Sequence, residues 1–575
     1  MSHISDSQSL GDLLRRSVKR FSGRQALMVP EEKGFRRVSF DELYDEAYRY
    51  AGALRAAGAE KGERLCIVGE TCVQWALVDW AAQTLGVVTV PIYPTLPADQ
   101  AQYIASDSGA NLIIVGDGTQ AAKFQGLDGV KVVGWSDGAG VPSLFDQDAT
   151  LTRVEWEKGI DAVERHELAT LIYTSGTTGP PKGVMLSHDN FISICADIPV
   201  ALPVDETDVF LVFLPLSHVF ARLAGHVLPT AIGATIAYAG SVASIASDMV
   251  EVRPTIMFVV PRFLESVRAR IIAGVKKQSP MKQRLFNMAL AQGLKKQRGE
   301  FAPLGGLLDK LVGEKIRART GGKLKFFVSG GAALSPHVSE FYIAFGLTVL
   351  QGYGLTETTA ASCLNSPDDN RPETVGKPLG CVEFKIAEDG EILQRGASVM
   401  LGYYNLSEAS KEAIGADGWF HTGDIGELDA GSLKITDRKK DLLVLGNGKN
   451  VAPLHVESTI KESDFIEEAV LFGDGMEYCC ALIVPEFDRI KTWLKEKGES
   501  EGDNAKIVER DDVKALIKSE IKTANSKLAD YERAKKHVLL SKPFTLETGE
   551  LTPSLKVKRR VVKEMYANEL QSMKR

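Results

Sequence analysis

Leu171-Ile172-Tyr173 runs without a break into Thr174-Ser175-Gly176-Thr177-Thr178-Gly179-Pro180-Pro181-Lys182-Gly183. An apolar run that stops at small hydroxyl residues, three glycines and one lysine reads as a strand feeding a phosphate-cradling loop. Glycine lets the backbone approach phosphate oxygens, while the hydroxyls, the backbone N–H groups and Lys182 supply donors and positive charge. It is not a Walker loop: Pro181 stands where that motif has its second glycine, and Gly183, not Ser or Thr, follows the lysine.

Working outward, the first 350 residues alternate short β-branched runs with helical stretches, the pattern of parallel strands joined by crossover helices. Strands are expected at Arg64–Val68, Val87–Ile92, Asn111–Val115, Thr170–Tyr173, Val209–Leu214, Thr235–Tyr238, Thr255–Val260 and Leu324–Val328. Ser39-Phe40-Asp41-Glu42 has capping-box spacing and opens a helix expected to stop near Gly58. From Val382 to Thr436 the texture changes to short hairpins, with turns at Glu388-Asp389-Gly390 and Asp429-Ala430-Gly431, and a charged α+β segment of about 130 residues follows Asp441. The expected fold is α/β. It has a large multi-layer N-terminal domain of mostly parallel sheets, a small β-rich subdomain, and a small mobile α+β C-terminal domain.

A length of 575 residues is too much for one ordinary core, and a net charge of −7 argues against a nucleic-acid binder. Seven cysteines without a Cys-x-x-Cys pair indicate neither a disulfide framework nor a zinc site, which favours a reducing compartment. The most apolar stretch, Leu223 to Gly240, holds His226, Pro229 and several Gly and Thr residues; it reads as a buried helix followed by a strand, not as a membrane span. Between Arg262 and Lys325 stand sixteen Lys and Arg against four Asp and Glu. That block reads either as solvated helix faces or as a surface for anionic lipid head groups. Within it, Met281–Lys296 carries an apolar stripe at Phe286, Leu290 and Leu294, weak support for a helix lying in a membrane.

The segment 173–183 resembles the phosphate loop of the adenylate-forming superfamily of acyl-CoA synthetases, luciferases and peptide-synthetase adenylation domains, and further motifs follow in that superfamily's order. Val328-Ser329-Gly330-Gly331-Ala332 resembles the turn beside the adenine, and Gln351-Gly352-Tyr353-Gly354-Leu355-Thr356-Glu357-Thr358 the aromatic-plus-acid motif. Gly418-Trp419-Phe420-His421-Thr422-Gly423-Asp424 resembles the ribose motif, Asp437-Arg438-Lys439-Lys440-Asp441 the interdomain hinge, and Leu551 to Arg559 the C-terminal lysine motif. The resemblance implies ATP and AMP binding by Thr174, Ser175, Gly176, Thr177, Thr178, Lys182, Gly330, Gly331, Ala332, Gln351, Gly352, Tyr353, Thr356, Asp424 and Arg438. It implies catalytic roles for Lys556, Thr356 and Glu357, with Glu357 holding Mg2+. It implies domains at 1–437 and 442–575 around a hinge at 438–441, with Lys440 and Asp441 in the pivot and Gly446 to Asn450, including Gly448, lining the path of CoA.

Leu214 to Phe220 resembles the segment beside the substrate carboxylate, and His218, Val219, Gly225 and Gly233 are the acyl-pocket candidates; the small residues leave room for an apolar chain, or for ordinary close packing. Leu555 before the lysine, where many members have Gly, resembles the long-chain branch, and the chain looks most like a bacterial long-chain fatty-acyl-CoA synthetase. The expected partners are a fatty acid, ATP and CoA. The expected place is the cytoplasm with peripheral contact to the inner membrane face through 262–325, and a homodimer is compatible with the sequence. Other adenylating enzymes (aryl or medium-chain acyl-CoA ligases, acyl-AMP ligases serving a carrier protein) and a non-catalytic lipid- or nucleotide-binding scaffold remain as alternatives.

Overall fold

A computed structural model of the chain describes residues 2–146, 148–174, 180–500, 502–545, 547–552 and 556–573. The chain divides into two compact units, Met1–Leu334 with Val338–Lys385 and Leu393–His421, and Ser335–His337 with Ile386–Ile392 and Thr422–Arg575.

The first unit holds two large sheets. In the seven-stranded one, Val88–Ile92, Arg64–Val68, Leu112–Val115 and Lys131–Gly134 lie parallel beside Leu168–Thr174, and Lys182–Ser187 and Gly402–Tyr403 close one edge antiparallel. In the nine-stranded one, Thr348–Tyr353, Phe326–Ser329, Ile256–Val259, Val209–Val212, Thr235–Tyr238 and Gln25–Pro30 run parallel in that order. All eight strands expected from the sequence are present within one or two residues, and the helix from Ser39 runs Phe40–Ala57 with the capping box formed and Gly58 at its end.

Side chains alternate across a strand, and the cores follow that period of two. Leu65 and Ile67 join one core together with Phe210, Val212, Val328 and Leu350, whereas Cys66 and Val68 join a second, and Leu211, Phe327 and Val349 a third. Each sheet is therefore buried on both faces, and helices such as Leu10–Phe21 and Val73–Leu85 share the middle core with both sheets.

The apolar stretch after Arg222 is a helix that ends at Ile232 and then the strand Thr235–Tyr238, as expected. Within that helix the turn Leu223–Val227 is widened, and the Leu228 N–H reaches back five residues to the Leu223 carbonyl. Among the described residues no helix is long and apolar enough to cross a membrane. All seven cysteines are free thiols; Cys479 and Cys480 are both buried in the strand Cys479–Pro485.

In the second unit Ile466–Phe472 pairs antiparallel with Cys479–Pro485, which pairs parallel with Ala534–Leu539; helices Pro453–Ile460 and Asp511–Asn525 contribute to the same core. Phe420–Asp429 and Ser432–Arg438 form the hairpin read from the sequence, and its two central residues, Ala430 and Gly431, both take positive φ (48° and 83°), the turn that matches strand twist.

Candidate active site

In parallel α/β sheets ligands bind beyond the carboxyl ends of strands, and Thr174, Gly330–Ala332, Gly352–Tyr353 and Thr356–Glu357 lie at or just beyond such ends. Ser329 pairs with Gln351, so Gly330–Ala332 leave the sheet beside Gly352–Tyr353, which end their strand paired with Leu364 and Cys363. Gly331 needs its lack of Cβ for φ +81°, and a Cβ on Gly330 would stand 3.1 Å from the Phe220 ring. That close approach brings the expected adenine turn against the segment that starts at His218. Tyr353 is buried, and the Gln351 amide donates to the Pro372 carbonyl while its side-chain oxygen accepts the Leu334 N–H at 3.4 Å.

Thr174 ends the strand Leu168–Thr174 and pairs with Lys182 across the loop between them. Ser175, Gly176, Thr177 and Thr178 lie outside the described residues, as does Leu555. Thr356 and Glu357 sit in the tight turn Thr356–Thr358, which packs on the strand Lys182–Ser187. Two non-glycine residues with left-handed backbone follow, Thr359 at φ +54° and Ala360 at φ +70°. Such a conformation persists only where the surroundings hold it, and here several bonds do. Met400 N–H donates to the Glu357 carbonyl (2.9 Å), Leu355 N–H to Thr358 Oγ1 (2.8 Å), and Thr359 Oγ1 to the Ser398 carbonyl (2.8 Å).

A residue that sequence reading passed over ties these parts together. Tyr403, on the edge strand Gly402–Tyr403, donates its hydroxyl to Glu357 Oε1 at 2.9 Å, and Lys182 Nζ lies 4.9 Å from the centre of its ring. Burial, then the neighbouring carboxylate, pushes the Tyr403 hydroxyl well above the ordinary tyrosine range, so it remains a donor. The only sequence signal was the pair Tyr403-Tyr404 after Gly402 in a hairpin-rich region, which carries no chemistry by itself.

His218 caps the helix Val219–Arg222 by accepting the Phe220 N–H on Nδ1 (3.1 Å), and Val219 is buried. Gly225 lines a narrow apolar crevice with Phe210, Val212, Leu214, Ala221 and Phe258, of only about 10 Å³. The structure does not bring Gly233 there. Gly233 ends the helix Leu228–Ile232 at φ +81°, and a Cβ on it would stand 2.5 Å from the Phe21 ring, so close packing on the N-terminal helix explains its small size.

One turn beyond His218 is a charged group that sequence reading took only as a flank of the apolar stretch. Arg222, fully buried, grips Asp79 with two bonds (Nε–Oδ2 2.8 Å, Nη2–Oδ1 2.6 Å) and donates to Thr170 Oγ1 (2.8 Å) and Thr89 Oγ1 (2.9 Å). The paired guanidinium holds the Asp79 carboxyl below its ordinary range despite a burial that pushes the other way. Thr170 lies on the strand that ends at Thr174, so this pair fastens the His218 helix to the strand Leu168–Thr174.

In the second unit Asp424 is buried, pairs with Arg438 across the hairpin (Nε–Oδ1 3.1 Å), and has its N–H held by Thr422 Oγ1 at 3.1 Å. Thr422, Gly423, Arg438, Lys439 and Lys440 line a recess of about 260 Å³, a basic pocket with a carboxylate partner at its wall. Lys439 is bound to Asp389 (2.7 Å) and Glu391 (2.9 Å), and hydrogen bonding to those carboxylates raises its pKa. Asp441 closes the short turn Lys439–Asp441. Gly446 and Gly448 shape the turn between Leu443–Val444 and Asn450–Val451, Gly448 at φ +79°. Lys556 is exposed; its carbonyl accepts the Thr552 N–H (2.8 Å) and its own N–H donates to Thr552 Oγ1 (3.0 Å). Arg559 pairs with Glu457 (2.7 Å) and donates to the Leu471 carbonyl, pinning the segment after Lys556 to the strand Ile466–Phe472.

The first unit thus carries strand-end turns and an acid hydrogen-bonded beside a lysine, and the second unit, by itself, a basic recess, on an α/β framework. Residues 14–404 match the AMP-binding enzyme family and residues 440–574 the AMP-binding enzyme C-terminal domain, and the chain belongs to that family. It is similar to the long-chain-fatty-acid–CoA ligase FadD15 of Mycobacterium bovis, 34% identical over 93% of this chain and 92% of that protein. It is also similar to the peroxisomal long chain acyl-CoA synthetase 6 of Arabidopsis thaliana, 33% identical over 87% of this chain and 76% of that one. Among solved structures, the adenylation domain of a carboxylate reductase from Mycobacterium chelonae superposes with a TM-score of 0.78 at 23% identity, covering 98% of this chain and 91% of that one, a likeness of fold.

Proposed function

We propose that the chain is an AMP-forming fatty acid–CoA ligase acting on long acyl chains in the cytoplasm. The carboxylate attacks the α-phosphorus of ATP, pyrophosphate leaves, and the CoA thiol then attacks the acyl-AMP carbonyl to give the thioester and AMP. The observation that carries the reading is the Lys182–Tyr403–Glu357 arrangement, with a cation and an oriented acid at the mouth of the loop after Thr174. The likeness to long-chain ligases supports the substrate class.

Two anions must be brought together, so neutralising charge and aligning the carboxylate with phosphorus are the main tasks. Lys182, Thr174 and the loop residues through Thr178 take the phosphates, Thr356 donates to the α-phosphate, Tyr353 stacks on adenine beside Gly330–Ala332, and Gln351 and Gly352 hold that turn. Asp424 accepts from the ribose hydroxyls with Arg438 at its side. Lys556 stabilises the charge developing between carboxylate and α-phosphorus. Residues 438–441 serve as a pivot between a domain of 1–437 and one of 442–575, with Lys440 and Asp441 absorbing the turn, and Gly446 and Gly448 line the pantetheine path.

Among the described residues no three His, Cys, Asp or Glu side chains gather as a cation cage. A single oriented carboxylate fits Mg2+, which takes one or two carboxylates and draws its other ligands from phosphate and water. Glu357 would hold it, and when bound it neutralises phosphate charge.

Gly225 borders a narrow apolar crevice with Phe210, Val212, Leu214, Ala221 and Phe258, and the alternative substrate is an aryl or medium-chain acid. CoA-dependent AMP release measured across acids from acetate to oleate, with benzoate, decides between them. Each buried methylene contributes about 0.8 kcal/mol, so kcat/KM is expected to climb from octanoate towards palmitate. A benzoate constant above that of palmitate would transfer the chain to the aryl class.

A further inference from the structure

The strand Lys182–Ser187 runs straight into the helix His188–Ala201, and one side chain at that junction reaches far beyond it. Ser187 Oγ accepts the Asn190 N–H (3.3 Å) and Asn190 Oδ1 accepts the Ser187 N–H (2.7 Å), a reciprocal cap on the helix. That cap uses only the oxygen of the Asn190 amide. Asn190 is buried, and its Nδ2 donates to the carbonyls of Ala397 (2.7 Å) and Val399 (3.0 Å), 207 and 209 residues further along the chain.

The segment that Asn190 holds is the one that holds Glu357. Between the two carbonyls, that of Ser398 accepts Thr359 Oγ1 (2.8 Å), from the left-handed pair that follows the acid, and Ser398 Oγ accepts the Gln394 amide (2.7 Å). Next along, the Met400 N–H donates to the Glu357 carbonyl (2.9 Å) and the Tyr403 hydroxyl to its carboxylate (2.9 Å). The N–H groups of Leu401 and Tyr404 donate to the carbonyls of Met185 (2.9 Å) and Gly183 (2.8 Å), on the strand that carries Lys182. Residues 397–404 therefore grip the acid by backbone and side chain and the lysine's strand by backbone, and Asn190 anchors the start of that grip. Only an amide of this length serves both ends. Aspartate keeps the acceptor for Ser187 but sets a carboxylate against two carbonyl oxygens, and an apolar side chain leaves those carbonyls without their donor.

We propose that Asn190 is a positioning residue for the first half-reaction: acting through 397–404, it fixes where Glu357 stands relative to Lys182. The inference rests on the reading of Glu357 and Lys182 as the groups that meet Mg2+ and the phosphates of ATP. Backbone in the left-handed region persists only while its surroundings hold it. Once the carbonyls at 397 and 399 lose their donor, the Thr359–Ser398 bond loosens with them, and the turn that presents Glu357 is free to relax.

The test compares full-length wild type with Asn190→Asp, Thr359→Val and Ser187→Ala. Ser187→Ala weakens the same helix cap but leaves both Nδ2 bonds in place, so it reports what loss of helix stability does by itself. Three quantities are read: amide hydrogen exchange across 397–404 in the ligand-free protein, calorimetric affinity for ATP with Mg2+ and with EDTA, and acyl-AMP formation from palmitate. In Asn190→Asp the Met400 N–H is expected to exchange at least about tenfold faster. Affinity for ATP with Mg2+ and the rate of acyl-AMP formation are each expected to fall about tenfold, with ATP affinity in EDTA near wild type. Thr359→Val should move the same three quantities in the same direction. The double variant should be little worse than Asn190→Asp, because both changes act through one turn. Ser187→Ala should melt lower yet match wild type in all three. Wild-type exchange at 397–404 or wild-type affinity for ATP with Mg2+ in folded Asn190→Asp overturns the proposal, as does an equal shift in Ser187→Ala. Should Asn190→Asp fail to fold, Thr359→Val decides in its place by the same criteria. The expected shifts in exchange and in Mg2+-dependent ATP binding, in a protein whose wild type activates no fatty acid, sink the enzymatic reading and leave the positioning of Glu357 standing.

Discussion

Tyr403 stands between two charges, with Lys182 over its ring and its hydroxyl donating to Glu357. Removing only the hydroxyl frees Oε1 without disturbing the ring, so Tyr403→Phe should leave folding and ATP-independent thioester formation from supplied acyl-AMP near wild type. Acyl-AMP formation should fall about tenfold, with the Mg2+ concentration needed for half-maximal rate moved upwards, because a hydrogen bond to a charged group contributes about 1.5–3 kcal/mol. An unchanged Mg2+ requirement would reduce Tyr403 to a packing residue. Lys556 offers the cleaner separation of half-reactions. With Lys556→Ala, pyrophosphate release in the first step should drop about 100- to 1,000-fold, the usual cost of one preorganised donor, while CoA still captures supplied acyl-AMP. Wild-type pyrophosphate release in that variant would take Lys556 out of the mechanism.

Single elements carry a pH dependence that no residue list reveals. The strand Ser432–Arg438 delivers Asp437 against the helix Pro453–Ile460, where its carboxylate accepts the N–H groups of Arg438 (2.6 Å) and Leu454 (3.3 Å). Burial outweighs those bonds and pushes the acid up to about 6 from 3.8. The folded state therefore binds this proton more tightly than the unfolded chain between those values. Stability from this group falls as pH rises through that window and stays low above it, by about 2–3 kcal/mol. In urea unfolding, Asp437→Asn should gain on wild type as pH climbs from about 4 to 7; a difference that stays constant with pH would show that Asp437 does not titrate there. Elements also explain what sequence could reveal. Strands such as Thr235–Tyr238 are local apolar runs with clear stops, and the Ser39–Glu42 cap is a four-residue pattern, so both were legible. Tyr403 and Arg222 were not, because their meaning lies in partners 46 and 143 residues away. The stripe on Pro280–Gln297 was legible as apolar but not as core, since only the facing Phe341 and Phe345 decide which way it points.

At the scale of the whole molecule the family's two matched segments meet between residues 404 and 440, and the turn Lys439–Asp441 lies at that limit. Lys440→Pro fixes φ near −65° and deletes an N–H. If these residues are a pivot used between the two steps, the variant should form acyl-AMP from ATP and palmitate in a single turnover and fail severely at the thioester. A melting profile guards against simple misfolding, and wild-type transfer from acyl-AMP by the folded variant would remove the pivot. The widened turn at Leu223–Val227 speaks to how such a chain can change over generations. A helix that has taken in one extra residue as a bulge keeps both of its flanks in register. The His218 end and the Ile232 end can therefore stay where they are if descendants drop a residue between them, whereas the same deletion in Val73–Leu85 would rotate one half of that helix by about 100°. Loss of one residue should therefore be tolerated among close kin in this buried turn, a place where insertions and deletions are ordinarily forbidden.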